Sequence, residues 1–436
     1  MPLSATDAAH LIRRTGFGIT APLFNELRAA TRRTAVERMV DPAFSADDAI
    51  GPTVGAGFIT HHTDIELMQS WWLNRMVFTP APLVEKLALF WHSHFVSSAD
   101  KVEDVNILMA QNRLLRHGAL GSFAELAQRV STDPAMLIYL DNHTNVASAP
   151  QENFGRELLE VFTLGPAGRT EADVVAMTRA WTGHGLDRLY GKNHPGTTYQ
   201  FRPEEHDNGP KQLFGLPPRN WDGPAALDEL LFRSRAEPMS RFVTAKLFSF
   251  LAYPVSADDP VVHRLAAGFR SSKLNIQALV RSILVSDEFW SPAARGALVR
   301  SPVEWVVAAL QATGLDPLLT QAHKEMPQMG QRLFHPPTVA GWGQNDYWLA
   351  TARTWGKAAL ARRLAARSTV LGDLGDLPPE SVATRGFQQF GILSPSPVTR
   401  RVVEDWVRRT RVEGNEKLLN RNLMVLLLLT PEFQLA

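Results

Sequence analysis

The sequence predicts an all-α protein, an irregular multi-helix bundle with one small β and loop insertion near residues 184–220. Three observations carry that reading. Apolar residues recur at helical spacing along most of the 436 residues. Ser, Thr or Asp stands ahead of many such stretches and Gly or Pro follows, as helix starts and stops require. Between His184 and Asn220 the periodicity gives way to Gly, Pro, Asn and aromatic residues, with Tyr199-Gln-Phe201 as a short strand.

Taken in order, residues 4–15 form a helix that Ser4 or Thr6 caps, and Thr15-Gly-Phe-Gly turns the chain. Helices follow near 21–30 and 33–40, then a Pro-, Gly- and Ala-rich loop at 41–60. His61 and His62 stand at the start of a helix carrying Leu67, Met68, Trp71, Trp72 and Arg75. After the stretch Glu85–Phe95 come helices over 101–117 and over 122–130, the latter capped by Ser122. Asp133-Pro134 opens the helix PAMLIYLDN. The segment 152–165 places Phe154, Leu158, Val161 and Phe162 on one face, and Gly165-Pro166 stops it. Thr170 and Asp173 make a capping-box pattern for the next helix, which ends at Gly183. Helices return after 223, among them one opened by Ser301-Pro-Val-Glu304. Residues 329–342 form a rigid loop with His335, Trp342 and Trp348 as its aromatic groups. Residues 366–397 hold few periodic apolar residues and read as a mobile excursion.

Composition narrows the function classes. With 45% apolar and 20% charged residues the chain is an ordinary globular protein with ample core. A formal net charge of +1 implies neither nucleic acid nor an anionic membrane as partner. The absence of cysteine excludes disulfides, thiol catalysis and thiolate metal sites. The N-terminal segment lacks the apolar run of a signal peptide, so a cytoplasmic location is expected as the sequence stands. The longest apolar run, Leu423–Leu429, is too short to span a bilayer. No linker divides the chain, so 1–222 and 223–436 are read as two helical parts sharing one core.

The stretch EKLALFWHSHF, Glu85–Phe95, is the expected centre. Leu87, Phe90, Trp91, His94 and Phe95 share one helix face. His92 lies about 200° away from His94 on an ideal helix. The two rings meet one metal ion only if the helix ends near Trp91, which Ser93 and the following VSSAD favour. Glu157 sits at the border of its helix's apolar face, where a carboxylate needs a cation, a hydrogen bond or a metal. Arg156 and Glu160 read as a surface pair. In the loop, His206, Asp207 and Lys211 supply a base, an acid and a cation within six residues, although Asp-Asn-Gly is also a strong turn signal.

Several segments together resemble a bacterial family described as a domain of unknown function, number eighteen hundred. They are HLIRRTGFG, FWHSHF, SADKV, DPAMLIYLDN, NFGRELLEVFTLG, TEADVVAMTRAWTG, HDNGPK, SPVEWVV and MGQRLFHPPTVAGW, in the family's order over nearly the whole chain. The resemblance brings no established activity. It implies export as an alternative location, and a sulfatase-like companion protein.

Three functions fit the residues. The first is a metal-dependent, hydrolase-like enzyme acting on a small-molecule or polymeric substrate. His92 or His94, Glu157 and His206 would hold zinc, iron or manganese, with Asp207 as base or ligand support and Lys211 on an anionic group. The second is metal-free, glycosidase-like chemistry, with Glu157 and Asp207 flanking a ligand between Trp91, Trp181 and Trp342. The third is a non-catalytic scaffold or binding protein, in which Glu157 pairs with Arg156 or Arg14 and His94 is a core donor.

Overall fold

The computed structural model describes residues 1–41, 65–187, 196–375, 377–412 and 416–436. Most of the expected loop at 41–60, with His61 and His62, lies outside them. Three helices open the chain: α1 (Ala5–Thr15), α2 (Ala21–Ala29) and α3 (Arg32–Val40). α4 (Ile65–Phe78) leads to α5 (Pro82–His94), followed by α6 (Val105–His117), α7 (Phe123–Ser131) and α8 (Pro134–Tyr139). α9 (Glu152–Glu157) continues as a π-helix over Leu158–Thr163, and α10 (Glu171–Ala180) follows. β1 (His184–Leu186) and β2 (Tyr199–Phe201) then pair antiparallel, His184 opposite Phe201, the only sheet among the described residues.

Five helices come next: α11 (Gly223–Glu229), α12 (Ala236–Leu251), α13 (Pro260–Ser271), α14 (Ile276–Val285) and α15 (Asp287–Trp290). The last group is α16 (Pro302–Thr313), α17 (Pro317–Thr320), α18 (Thr351–Ala365), α19 (Pro379–Gln389), α20 (Pro397–Val412), α21 (Glu416–Leu428) and α22 (Pro431–Gln434). The starts follow local chemistry. Ser4, Ser122 and Asp133 each accept a backbone N–H of the first turn. Thr170 with Asp173, and Ser301 with Glu304, form complete capping boxes. One expectation is corrected here: the segment 366–397 contains α19, whose Val382, Ala383 and Phe387 are buried.

Two hydrophobic cores share α5. Leu87, Phe90 and Trp91 belong to the first, with residues between Leu3 and Trp290. Ala88 and Leu89 belong to the second, with residues between Phe17 and Phe433. Both cores draw residues from before and after position 222. α5 is therefore covered on both sides, and even its charged residues are inside. Glu85 is fully buried and accepts from Arg116 Nε at 2.6 Å, Arg75 Nε at 3.2 Å and Trp72 Nε1 at 2.9 Å. No helix among the described residues is long and apolar enough to cross a membrane.

Candidate active site

α5 runs on to His94 rather than ending near Trp91, so His92 and His94 stay on different sides of a regular helix. His94 lies among Phe90, Trp91, Phe95 and Phe162, and its Nε2 donates to the Phe162 carbonyl at 3.0 Å. Burial keeps it neutral, far below the usual histidine range. His92, on the other side of the helix, is equally buried. Its ring meets Trp72, Phe334 and Trp342, and its Nε2 accepts the Phe334 N–H at 3.2 Å. Burial, with His335 nearby, lowers it to about 3.

The 206–211 loop is occupied with holding its own turn. His206 Nδ1 lies 2.8 Å from the Thr182 carbonyl. Asp207 is gripped by Arg179 at 2.6 and 3.2 Å and accepts the Gly209 N–H at 2.7 Å. The Arg179 hydrogen bonds hold its carboxyl below the usual range. Lys211 Nζ donates to the carbonyls of Asp207 and Gly209 and to Asn220 Oδ1. Asp207 and Lys211 thus serve the turn that Asp-Asn-Gly signals.

Among the described residues, no group of three or more His, Asp or Glu side chains is placed to hold a metal ion. His92, His94, Glu157 and His206, the residues expected to hold zinc, iron or manganese, are not among any such group. Each histidine is instead tied to a backbone group of its own.

A different set of motif residues lies within electrostatic reach of Tyr139, Glu157 and Asp100 among them. The Glu157 carboxylate stands where α9 passes into the π-helix, a break in helical regularity of a kind frequent at functional sites. It has no ion pair with Arg156, which turns to Glu152, Glu160 and Glu171. Partial burial, then repulsion from Glu160, raises its pKa despite Arg156. Burial likewise raises the Tyr139 phenol, and the charges of Glu157 and Asp100 push it the same way. Lys101 Nζ ties this corner together, donating to the Tyr139 carbonyl at 2.9 Å and to Asp141 at 2.7 Å. Asn153 Nδ2 reaches the same Asp141 oxygen at 3.2 Å from the start of α9.

His335 completes the group. Its Nδ1 lies 2.9 Å from Asp100 Oδ1, while Nε2 is covered and has no hydrogen-bond partner. Burial lowers its pKa, opposed by Asp100, so the ring is neutral near pH 7. With Nδ1–H donated to Asp100, Nε2 carries a free lone pair. The ring is aimed by strained backbone. Phe334 has φ of +65°, a left-handed conformation that a bulky residue rarely takes. His92 holds its N–H, and its carbonyl accepts the Ala99 N–H at 2.8 Å. His92 thus holds the backbone next to His335. Nearby, Gly341, also left-handed at φ +81°, packs its Cα against Ser93 where no Cβ fits.

Glu157 was legible in the sequence as a carboxylate at a core border. His335, read as part of a rigid loop, and Asp100 were not. The signal available was that SADKV and LFHPP both lie in motif segments.

No curated protein and no solved structure matches the chain. The model of the family described as a protein of unknown function (DUF1800) matches residues 10–435, and the chain belongs to that family.

Proposed function

We propose that the protein is an acid–base enzyme working at Asp100, His335, Tyr139 and Glu157, with hydrolysis as its reaction class. The observation that carries this reading is the Asp100–His335 pair, whose second ring nitrogen, Nε2, is buried and left without a partner. Asp100 fixes the tautomer and orientation of the ring, as a carboxylate does in hydrolytic triads. His335, neutral near pH 7, takes a proton from water or a substrate hydroxyl. Glu157, held protonated to higher pH than a free carboxylic acid, returns a proton to the leaving group. Two groups with opposite shifts, a lowered base and a raised acid, support that division of roles. Asp100 and Lys101 stand exposed beside the pair, so the substrate is a small molecule or a polymer reached from solvent. The dyad of Glu157 with Asp207 is not favoured, because Asp207 is engaged by Arg179.

The test begins with nitrophenyl esters, glycosides, phosphates and sulfates as probes. Turnover of one class is expected, reduced about 10²–10⁴-fold in His335→Ala with the fold intact. A substrate-free check is the NMR titration of His335. Its midpoint is expected below 6.5, and Asp100→Asn is expected to lower it further, since Asp100 favours the charged ring. A His335 that titrates at 6.5 in both proteins, or full turnover in His335→Ala, removes the reading.

A further inference from the structure

Arg14 of α1, Lys86 of α5, Arg300 just ahead of α16 and Lys357 of α18 are four cations, none more than 3% exposed. One carboxylate, Glu304, stands among them. It pairs with Lys86 and accepts the Ser301 N–H at 2.7 Å, so it is held ionised. The charge of Glu304 also acts on Arg14, Arg300 and Lys357. The interior therefore holds more positive charge than it neutralises, a costly arrangement in a region closed to water.

The guanidinium groups are also under-used. Arg14 spends one terminal nitrogen on the Ala294 carbonyl, and Arg300 donates NH1 to the Phe433 carbonyl at 3.0 Å. Arg14 Nε and NH1 and Arg300 Nε are buried with no partner. Arg13 adds a third unpartnered Nε. It lines a cleft of about 350 Å³ together with His10 and Arg295, and Glu432 and the C-terminal Ala436 stand on the same wall. Guanidinium donors are permanently charged and arranged in a fixed fork that matches oxyanions.

From the unspent donors, the surplus charge and the adjoining cleft we infer that Arg13, Arg14 and Arg300 form a binding site for a tetrahedral oxyanion, phosphate or sulfate. A tetrahedral ion offers several acceptor oxygens to donors converging from two segments of chain. Its charge balances the cations that Glu304 leaves over. The site is independent of the acid–base group at His335.

The test uses the full chain in two arms. Purified protein is unfolded and the released anions are separated by ion chromatography. Folded protein, dialysed free of oxyanions, is titrated calorimetrically with inorganic phosphate and with sulfate, against chloride at equal ionic strength. One phosphate or sulfate per chain, released or bound, is expected. Glycerol 3-phosphate titrated alongside separates the two sources of the anion. Tighter binding of the ester means a phosphate carried by a larger ligand in the cleft, and tighter binding of the free ion means a resident ion.

Arg13→Gln, at the cleft wall, is expected to weaken binding about ten-fold or more. Arg300→Met is expected to abolish it, and Arg13→Gln alone decides the matter if that variant fails to fold. A folded protein that neither releases nor binds either oxyanion overturns the inference. So does an affinity unchanged by Arg13→Gln.

Discussion

Acid is expected to unfold this protein early, with stability falling from about pH 6.5 downward and a midpoint near pH 5. The cause is four buried histidines. His10 and His92 are lowered to about 3 and His184 to about 4, chiefly by burial, and His94 also lies well below the usual value. Between 6.5 and those folded values, the unfolded chain binds protons that the folded chain refuses. Stability is complete above 6.5 and lost as the pH falls.

Asp133 works in the opposite direction. Burial raises its carboxyl from 3.8 to about 7, so below pH 7 folding holds one proton that the unfolded chain binds less tightly. The four most shifted histidines less one aspartate leave three protons, which amounts to about 4 kcal/mol per pH unit. Domain stabilities are about 5–15 kcal/mol, so two pH units are enough. Denaturant unfolding followed by circular dichroism at pH 7, 6 and 5 checks this. Equal midpoints at all three would mean that the four rings are not neutral and buried together.

The second large effect is at Glu85. Glu85→Gln is expected to cost about 3–5 kcal/mol, because it leaves Arg116 charged and 3% exposed without its carboxylate. The geometry is demanding: Arg116 Nε and a terminal nitrogen contact both Glu85 oxygens, and that nitrogen also donates to Asn112 at 2.7 Å. Replacing both partners, Glu85→Met with Arg116→Met, is expected to cost less than Glu85→Gln alone, since a buried pair stabilises little against apolar groups of similar size. A double variant less stable than the sum of the single ones would show that the pair is not the unit.

What the sequence made legible was local. Ser4, Ser122, Asp133, Thr170 with Asp173, and Ser301 with Glu304 announce helix starts through bonds only three residues long. α19 was missed because its few apolar residues gain their burial by packing on α20 and α21, which the periodicity of the segment itself does not show. The burial of His92 was not legible because one apolar stripe implies one core, whereas α5 serves two. Glu157 could be found from helix geometry alone. The Asp100–His335 bond joins residues 235 apart, through a left-handed Phe334 that no propensity would forecast. Asp207 and Lys211 carried a functional and a turn signal at once, and their partners are those of the turn.

The double burial of α5 bears on how the chain is made. During synthesis Leu87, Phe90 and Trp91 find partners among earlier and soon-following segments, and Ala88 and Leu89 meet α4, α6 and α8 early, but their core is completed only by α16 to α21. At roughly 5–20 residues per second, about ten to forty seconds separate α5 from α16 on the ribosome. Through that interval the flank carrying His92 is only partly covered, by Trp72 and its neighbours, which makes the nascent chain a client for holding chaperones and makes completion of translation, rather than emergence of the first half, the event that seals the molecule.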